Sequence, residues 1–282
     1  MSYNQDMKNY NDLKILFITD IHQNIDAVRK IDFSLFDACF CGGDLLDPSN
    51  PDISIAKAII DLLPKKTLIV PGNCDKDQVL IMYMKEKLKF IHKELTSLSD
   101  IPVLGIGYSR DLKDDMKVYR AYFQEDDKRV YSFIENNSIN SFILDFCGIK
   151  IEEDNTIKYL SEKEALEKAE KFINKFVAFS ENEIASLFSG IKGIDGGIIL
   201  THSPSYGTLD KLNGLPNIGS LAIKEGIIKT NPALVLCGHF HELQGKSKIN
   251  NSIIFNPGAL KDGCYGVIEF GNRGIKLISK KL

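Results

Sequence analysis

The chain has 282 residues, 44% of them apolar and 26% charged, with a formal net charge of -3 at pH 7. That composition excludes a disordered or fibrous chain and suits one large α/β domain or two small ones. The charge balance offers no general attraction to nucleic acid or to an anionic membrane. No segment approaches the roughly 18 continuous apolar residues of a membrane helix. The polar stretch 1–12 lacks the apolar core of a secretion signal. Cys39, Cys41, Cys74, Cys147, Cys237 and Cys264 form no CxxC pair, and Cys39, Cys41 and Cys237 lie inside apolar runs. Reduced, packed thiols in a cytoplasmic protein are expected.

Leu13 to Ile18 is a nearly continuous apolar run and predicts a strand buried on both faces. It ends in Thr19-Asp20-Ile21-His22, and Asn24 can cap a short helix reaching about Lys30. Phe36 to Cys41 predicts a second strand, closed by Gly42-Gly43-Asp44. Ile53 to Leu63 has helical periodicity and stops at Pro64. Thr67 to Val70 predicts a third strand, followed by Pro71-Gly72-Asn73-Cys74-Asp75 and a helix from Gln78 to Leu88. Ile101 to Ile106 is a further strand, running into Gly107-Tyr108-Ser109. The repeat of strand, loop and helix predicts a sheet with helices on its faces, with polar loops at the carboxyl ends of the strands.

The rhythm breaks at about 110–160, read as an insertion or lid within a single domain spanning 1–282. Its charged run 111–129 reads as a solvated face. Tyr119, Tyr122 and Phe123 read as the segment's own core, and Ser141 to Ile151 as a strand or hairpin. Ser161 to Phe179 and Glu181 to Phe188 read as helices, with Ser161-x-x-Glu164 and Ser180-x-x-Glu183 as capping boxes. The core resumes with Gly197 to Leu200, which delivers Thr201-His202, and a helix runs from Ser220 to before Pro232. Leu234 to Cys237 then opens through Gly238 into His239-Phe240-His241. The remaining chain reads as antiparallel strands at Ser252–Phe255, Tyr265–Phe270 and Ile275–Ser279, joined by glycine-containing turns.

Five strand ends thus carry residues of metal-ligand type: Asp20-x-His22, Asp44, Asn73, His202 and His239-x-His241. The chain has five histidines, and only His92 lies elsewhere. Such clustering points to one shared site. Imidazole with carboxylate suits divalent transition metals. Seven candidate ligands exceed one tetrahedral site and suit two adjacent ions, which a bridging carboxylate holds about 3.5–4 Å apart.

The ordered series Asp20-x-His22, Gly43-Asp44, Gly72-Asn73-x-Asp75, Thr201-His202, Gly238-His239-x-His241 resembles the calcineurin-like metallophosphoesterase family. Ile218-Gly219-Ser220-Leu221-Ala222 and Asn256-Pro257-Gly258 resemble its small prokaryotic phosphodiesterase-like branch. The resemblance implies a four-layer α/β/β/α sandwich, two mixed sheets flanked by helices. It implies two divalent ions, with manganese expected and iron, nickel, cobalt, zinc or magnesium as alternatives. Asp20, His22 and His241 would hold one and Asn73, His202 and His239 the other, with Asp44 bridging. A metal-bridging hydroxide would attack a phosphodiester.

The sequence departs from the family's common Gly-Asn-His-Asp/Glu at Cys74, and from its usual prolines at Ser203-Pro204-Ser205. A thiol supplies no cation, so slower turnover of esters with poor leaving groups is expected. Asp75 reads equally as an orienting residue or a helix cap, and Arg110 as a phosphate contact or a solvated arginine. Singly, Asp20 reads as a helix cap, Asn73 as a turn residue and His202 as a core histidine. The rival functions are a phosphomonoesterase or phosphoprotein phosphatase on the same site, and a non-catalytic protein-binding scaffold. The sequence is compatible with a homo-oligomer.

Overall fold

The computed structural model describes residues 13–136, 141–174, 176–211, 215–272 and 274–282. The polar stretch 1–12 lies outside the described residues. In the first third, β1 (Leu13–Ile18), β2 (Ala38–Cys41), β3 (Leu68–Ile69) and β4 (Lys89–Phe90) lie parallel, side by side. Between them run α1 (Ile25–Arg29), α2 (Ile53–Leu62) and α3 (Gln78–Lys87). Each starts where its side-chain cap dictates: Asn24, Asp52 and Asp77 each accept backbone N–H groups of the first turn. A hairpin of β5 (Leu95–Leu98) and β6 (Ile101–Ile106) begins the second sheet.

A short strand, β7 (Ser109–Arg110), leads into α4 (Leu112–Gln124), α5 (Asp127–Asn136) and α6 (Ser141–Phe146). The hairpin β8 (Ile149–Ile151) and β9 (Ile157–Tyr159) follows, then α7 (Glu162–Ile173) and β10 (Ala178–Phe179), which pairs parallel to β7. The chain continues through α8 (Glu181–Gly190), β11 (Ile198–Thr201), α9 (Leu221–Thr230) and β12 (Leu234–Leu236). It ends with β13 (Gly245–Ile249), β14 (Ser252–Asn256), β15 (Cys264–Gly271) and β16 (Gly274–Lys281). The two six-stranded sheets run β16-β15-β1-β2-β3-β4 and β13-β14-β12-β11-β6-β5.

The period-2 alternation of each strand builds the four layers. Ile15, Phe17 and Phe40 face the second sheet and pack with Val103, Ile198, Leu234 and Phe255. Their neighbours Leu16, Ile18 and Cys41 face the other way, against Ala27, Ile59, Ile60 and Leu80 of α1–α3. On the second sheet Leu104, Ile199, Val235 and Ile254 face Ile184, Phe188, Ile223 and Ile227 of α8 and α9. Helix, sheet, sheet and helix therefore stack as the sequence implies. Among the described residues no helix is long and apolar enough to cross a membrane.

Three expectations are corrected. Ser141 to Ile151 is half helix, because Ile143, Leu144, Phe146 and Cys147 recur at helical spacing and all are buried. The helix expected to reach Phe179 stops at Ile173, and Ala178–Phe179 adds to β7 instead. The strand Ser252–Asn256 lies parallel to β12, although β15 and β16 do form the antiparallel pair expected. Within the charged run, Met116, Tyr119 and Phe123 are buried with Val130, Phe133 and Phe146 in a core shared only by the elements between β7 and β10 and by Leu215, Ile218 and Phe240.

Candidate metal centre

Five loops leave the carboxyl ends of β1, β2, β3, β11 and β12, and the geometry brings their polar residues together. Asp20, His22 and His241 present ligand atoms within 4.8 Å of one another, as do Asp20, Asp44 and His202. Individual approaches are His241 Nε2 to Asp20 Oδ1 at 3.3 Å, His202 Nε2 to Asp44 Oδ2 at 3.5 Å and His22 Nε2 to Asp44 Oδ2 at 3.7 Å. Asn73 Oδ1 stands 2.7 Å from His202 Nε2. The His239 ring packs edge-on against that of His202, centroids 5.1 Å apart.

Backbone carbonyls orient two of these rings. His22 Nδ1 lies 3.0 Å from the Leu46 carbonyl and His202 Nδ1 2.8 Å from that of Gly42. A carbonyl only accepts, so both Nδ1 atoms are donors and in the neutral ring both Nε2 atoms are lone pairs. His22 Nε2 then faces His241 Nε2 at 3.1 Å, and His202 Nε2 faces the Asn73 amide oxygen. The His202 Nε2 lone pair turned toward an amide oxygen fits a shared cation.

The backbone is strained to achieve this. Asp20, His22, Asp44 and His239 adopt φ of +54°, +42°, +54° and +70°. Such left-handed non-glycine residues cost about 1–3 kcal/mol each and cluster at functional sites. Two glycines make room: a Cβ on Gly72 would fall on Asp44 Oδ1, and one on Gly238 on the Thr19 hydroxyl and Asp20 Oδ2.

Burial acts to raise the Asp20 carboxyl, but the hydrogen bond from His241 and the charges of His202, His241 and His22 outweigh it and hold the group well below the usual carboxylate range. Burial, with His202 beside it, pushes His239 down to about 3. Burial also lowers His22 despite Asp44 and Asp20. At His241 burial is overcome by the Asp20 hydrogen bond, and the ring is raised. Asp20 is thus kept charged beside neutral His22 and His239, protonation states that suit metal binding.

Residues 189–279, which include His202, His239 and His241, match the family model for metallophosphoesterases of the calcineurin superfamily. That stretch of the chain is similar to the superfamily. An uncharacterized protein of Methanocaldococcus jannaschii is 24% identical over 253 residues, covering 87% of this chain and 88% of its own. One solved structure superposes with a TM-score of 0.62 at 16% identity, over 95% of this chain and 99% of that one. A crystal structure of a Thermus thermophilus protein superposes with a TM-score of 0.51 at 17% identity, over 96% and 99%. These likenesses agree with the fold. The partial family match and the ligand clusters support a metal-dependent phosphoester hydrolase.

Three further candidates lie around the cluster. The Cys74 thiol is buried and donates to Asp44 Oδ2 at 3.2 Å, while its backbone N–H donates to Asp44 Oδ1 at 2.8 Å. Burial first, then Asp44 and Asp75, pushes that thiol far above its ordinary range. Asp75 is fully buried and accepts N–H groups of Leu45, Leu46 and Gly72. It ties the Asp44 loop to the Asn73 loop, and it is not a helix cap, since Asp77 caps α3. Burial and Asp44 raise it to about 7. Arg110 Nε donates to the Ile218 carbonyl, which anchors β7 to the loop before α9.

Sequence reading passed over Thr19 and Phe240. The Thr19 hydroxyl donates to Asp20 Oδ2 at 2.8 Å. A hydroxyl immediately before the candidate ligand Asp20 was the available signal. Phe240 sits against His239, ring centroids 4.6 Å apart, and joins the core of the β7–β10 segment.

Proposed function

We propose that the protein hydrolyses a phosphodiester with two divalent cations, Mn²⁺ first among them. In this reading Asp20, His22 and His241 hold one cation, Asn73, His202 and His239 hold the other, and Asp44 lies between. The observation that supports it is the convergence of the His22, His202 and His241 Nε2 atoms on one another and on the Asp20, Asp44 and Asn73 oxygens. A scaffold that had lost its chemistry would not keep seven competent donors, four of them on strained backbone.

Such cations supply Lewis acidity that brings the pKa of water near neutrality and offsets phosphoryl charge. The chain's own contribution is positioning. Leu46 and Gly42 fix the faces of His22 and His202, Thr19 fixes Asp20, and Cys74 fixes Asp44 through both its N–H and its S–H. The Cys74 proton is directed at Asp44, and a neutral thiol offers the leaving group no cation. That favours esters whose leaving groups depart unaided, hence activated diesters.

The test is a panel of bis-p-nitrophenyl phosphate against p-nitrophenyl phosphate, each with Mn, Ni, Co, Fe, Mg and Zn. A diester preference with Mn²⁺ is expected. A monoester preference would reverse the reading in favour of a phosphomonoesterase. Protein that holds no stoichiometric metal and stays inert with added Mn²⁺ would favour the scaffold.

A further inference from the structure

The turn after Asn256-Pro257-Gly258 lies against the Asp20-x-His22 loop. It is a short 3-10 turn, Leu260–Asp262. Its backbone is stitched to the loop after β1: Leu260 N–H donates to the Thr19 carbonyl at 2.9 Å, and Lys261 N–H to the Asp20 carbonyl at 3.1 Å. The Asn24 side chain closes the joint, donating to the Lys261 carbonyl at 2.8 Å. Lys261 is thereby fixed next to the Asp20-x-His22 loop.

The Lys261 side chain is exposed, and its ammonium makes no hydrogen bond or ion pair among the described residues. Other lysines do find carboxylates: Lys93 pairs with Glu183, Lys113 with Glu170, Lys168 with Asp145 and Lys276 with Glu269. A lysine whose backbone is tied to Asp20 and Asn24, and whose ammonium is unpaired among the described residues, has a clear complement in a phosphoesterase site, the charged oxygen of the substrate.

We propose that Lys261 is a substrate-binding residue whose ammonium takes a non-bridging oxygen of the phosphate ester, at the edge of the site formed by His22 and His241. This rests on the phosphoesterase reading above and adds a residue to it. A lysine suits the task, because it is a compact point charge on a flexible stem and can follow the phosphoryl group without fixing its orientation.

The experiment titrates inorganic phosphate into the Mn²⁺-loaded full-length protein by calorimetry, which needs no turnover. Lys261→Gln is expected to weaken phosphate binding about tenfold, the scale of one charge-assisted hydrogen bond, with Mn²⁺ content unchanged. Lys261→Arg, which keeps the charge, should bind close to wild type. Lys248→Gln removes the same charge from β13, opposite Ile253 at the amino end of β14, and should leave binding as it was. Phosphate binding by Lys261→Gln equal to wild type, or an equal loss in Lys248→Gln, overturns the proposal, as does wild-type protein that binds no phosphate. Failure of the hydrolysis panel with phosphate binding intact would instead count against the catalytic reading.

Discussion

His22 and His241 point Nε2 at Nε2 across 3.1 Å, from loops 219 residues apart. The other nitrogen of His22 is committed to Leu46. His241 leans on Asp20 as well. Replacing His241 by Ala removes one acceptor from that group and leaves the Asn73–His202 group intact. Mn²⁺ content should fall by about one equivalent per chain. Activity should drop by more than the roughly 100-fold ceiling typical of changes to residues that only orient ligands. Metal analysis of the dialysed variant checks this, and full retention of metal would disprove the assignment.

Asp44 touches both halves, at 3.7 Å from His22 and 3.5 Å from His202. Asp44→Asn keeps the shape but halves the acceptor capacity and removes the charge. Activity should be abolished and occupancy lowered at both positions, not one. Wild-type turnover in this variant would remove Asp44 from the centre of the site.

Asp75 tests positioning without ligation. Its two oxygens accept three buried N–H groups. Asn in its place turns an NH₂ group toward at least one of these donors. The expected loss is about 1–3 kcal/mol of stability, measured by urea unfolding. Activity should fall by up to about 100-fold while most of the metal is retained. Unchanged stability would show that the two loops are held by something else.

Much of this was legible in the chain because strand alternation and loop position are local properties. The apolar run Leu13–Ile18 and the Asn24 and Ser180 caps needed no tertiary information, and each formed as read. The convergence of Asp20, His22, Asp44, Asn73, His202 and His241 followed from placing them at strand ends of one fold. Register and partner choice were not legible. Ser252–Asn256 has the same apolar pattern whether it pairs parallel or antiparallel, and only its neighbours β12 and β13 decide. Ala178–Phe179 follows a helical pattern until pairing with Ser109–Arg110 captures it. Lys261 carried no signal, since its place depends on hydrogen bonds to Thr19, Asp20 and Asn24, more than 230 residues away.

Phe240 couples the metal loop to the segment between β7 and β10. Its ring meets His239 on one side and the core of Tyr119, Phe123 and Phe133 on the other. The far end of the segment reaches the opposite loop, with Val177 N–H donating to the Asn73 carbonyl at 2.9 Å. Phe240→Ala should loosen the segment at a cost of about 1–3 kcal/mol, below a fully buried Phe→Ala because the ring is half-buried. Faster hydrogen exchange in α4 and α5, with α2 and α3 unaffected, is the expected signature. Uniform exchange across the chain would mean that the segment is held independently of Phe240.

His92, the histidine outside the site, makes the pH prediction. Its Nδ1 accepts the Gly107 N–H at 2.9 Å, so the ring must be neutral there. Burial lowers it to about 4, helped by Lys93 and Lys85 and opposed by Glu183. A folded pKa below the unfolded value of about 6.5 means that the unfolded chain binds the proton first. Stability from this group is therefore complete above about pH 6.5 and is lost as pH falls toward 4. The loss is at most about 3 kcal/mol, reduced by the solvent at the ring's exposed edge. In His92→Asn an amide oxygen can take the same N–H without titrating. Urea unfolding at pH 4.5 and 7 should then show a smaller difference for the variant than for wild type. Equal differences would mean that His92 binds its proton equally in the folded and unfolded chain, and the acid sensitivity would belong to other groups.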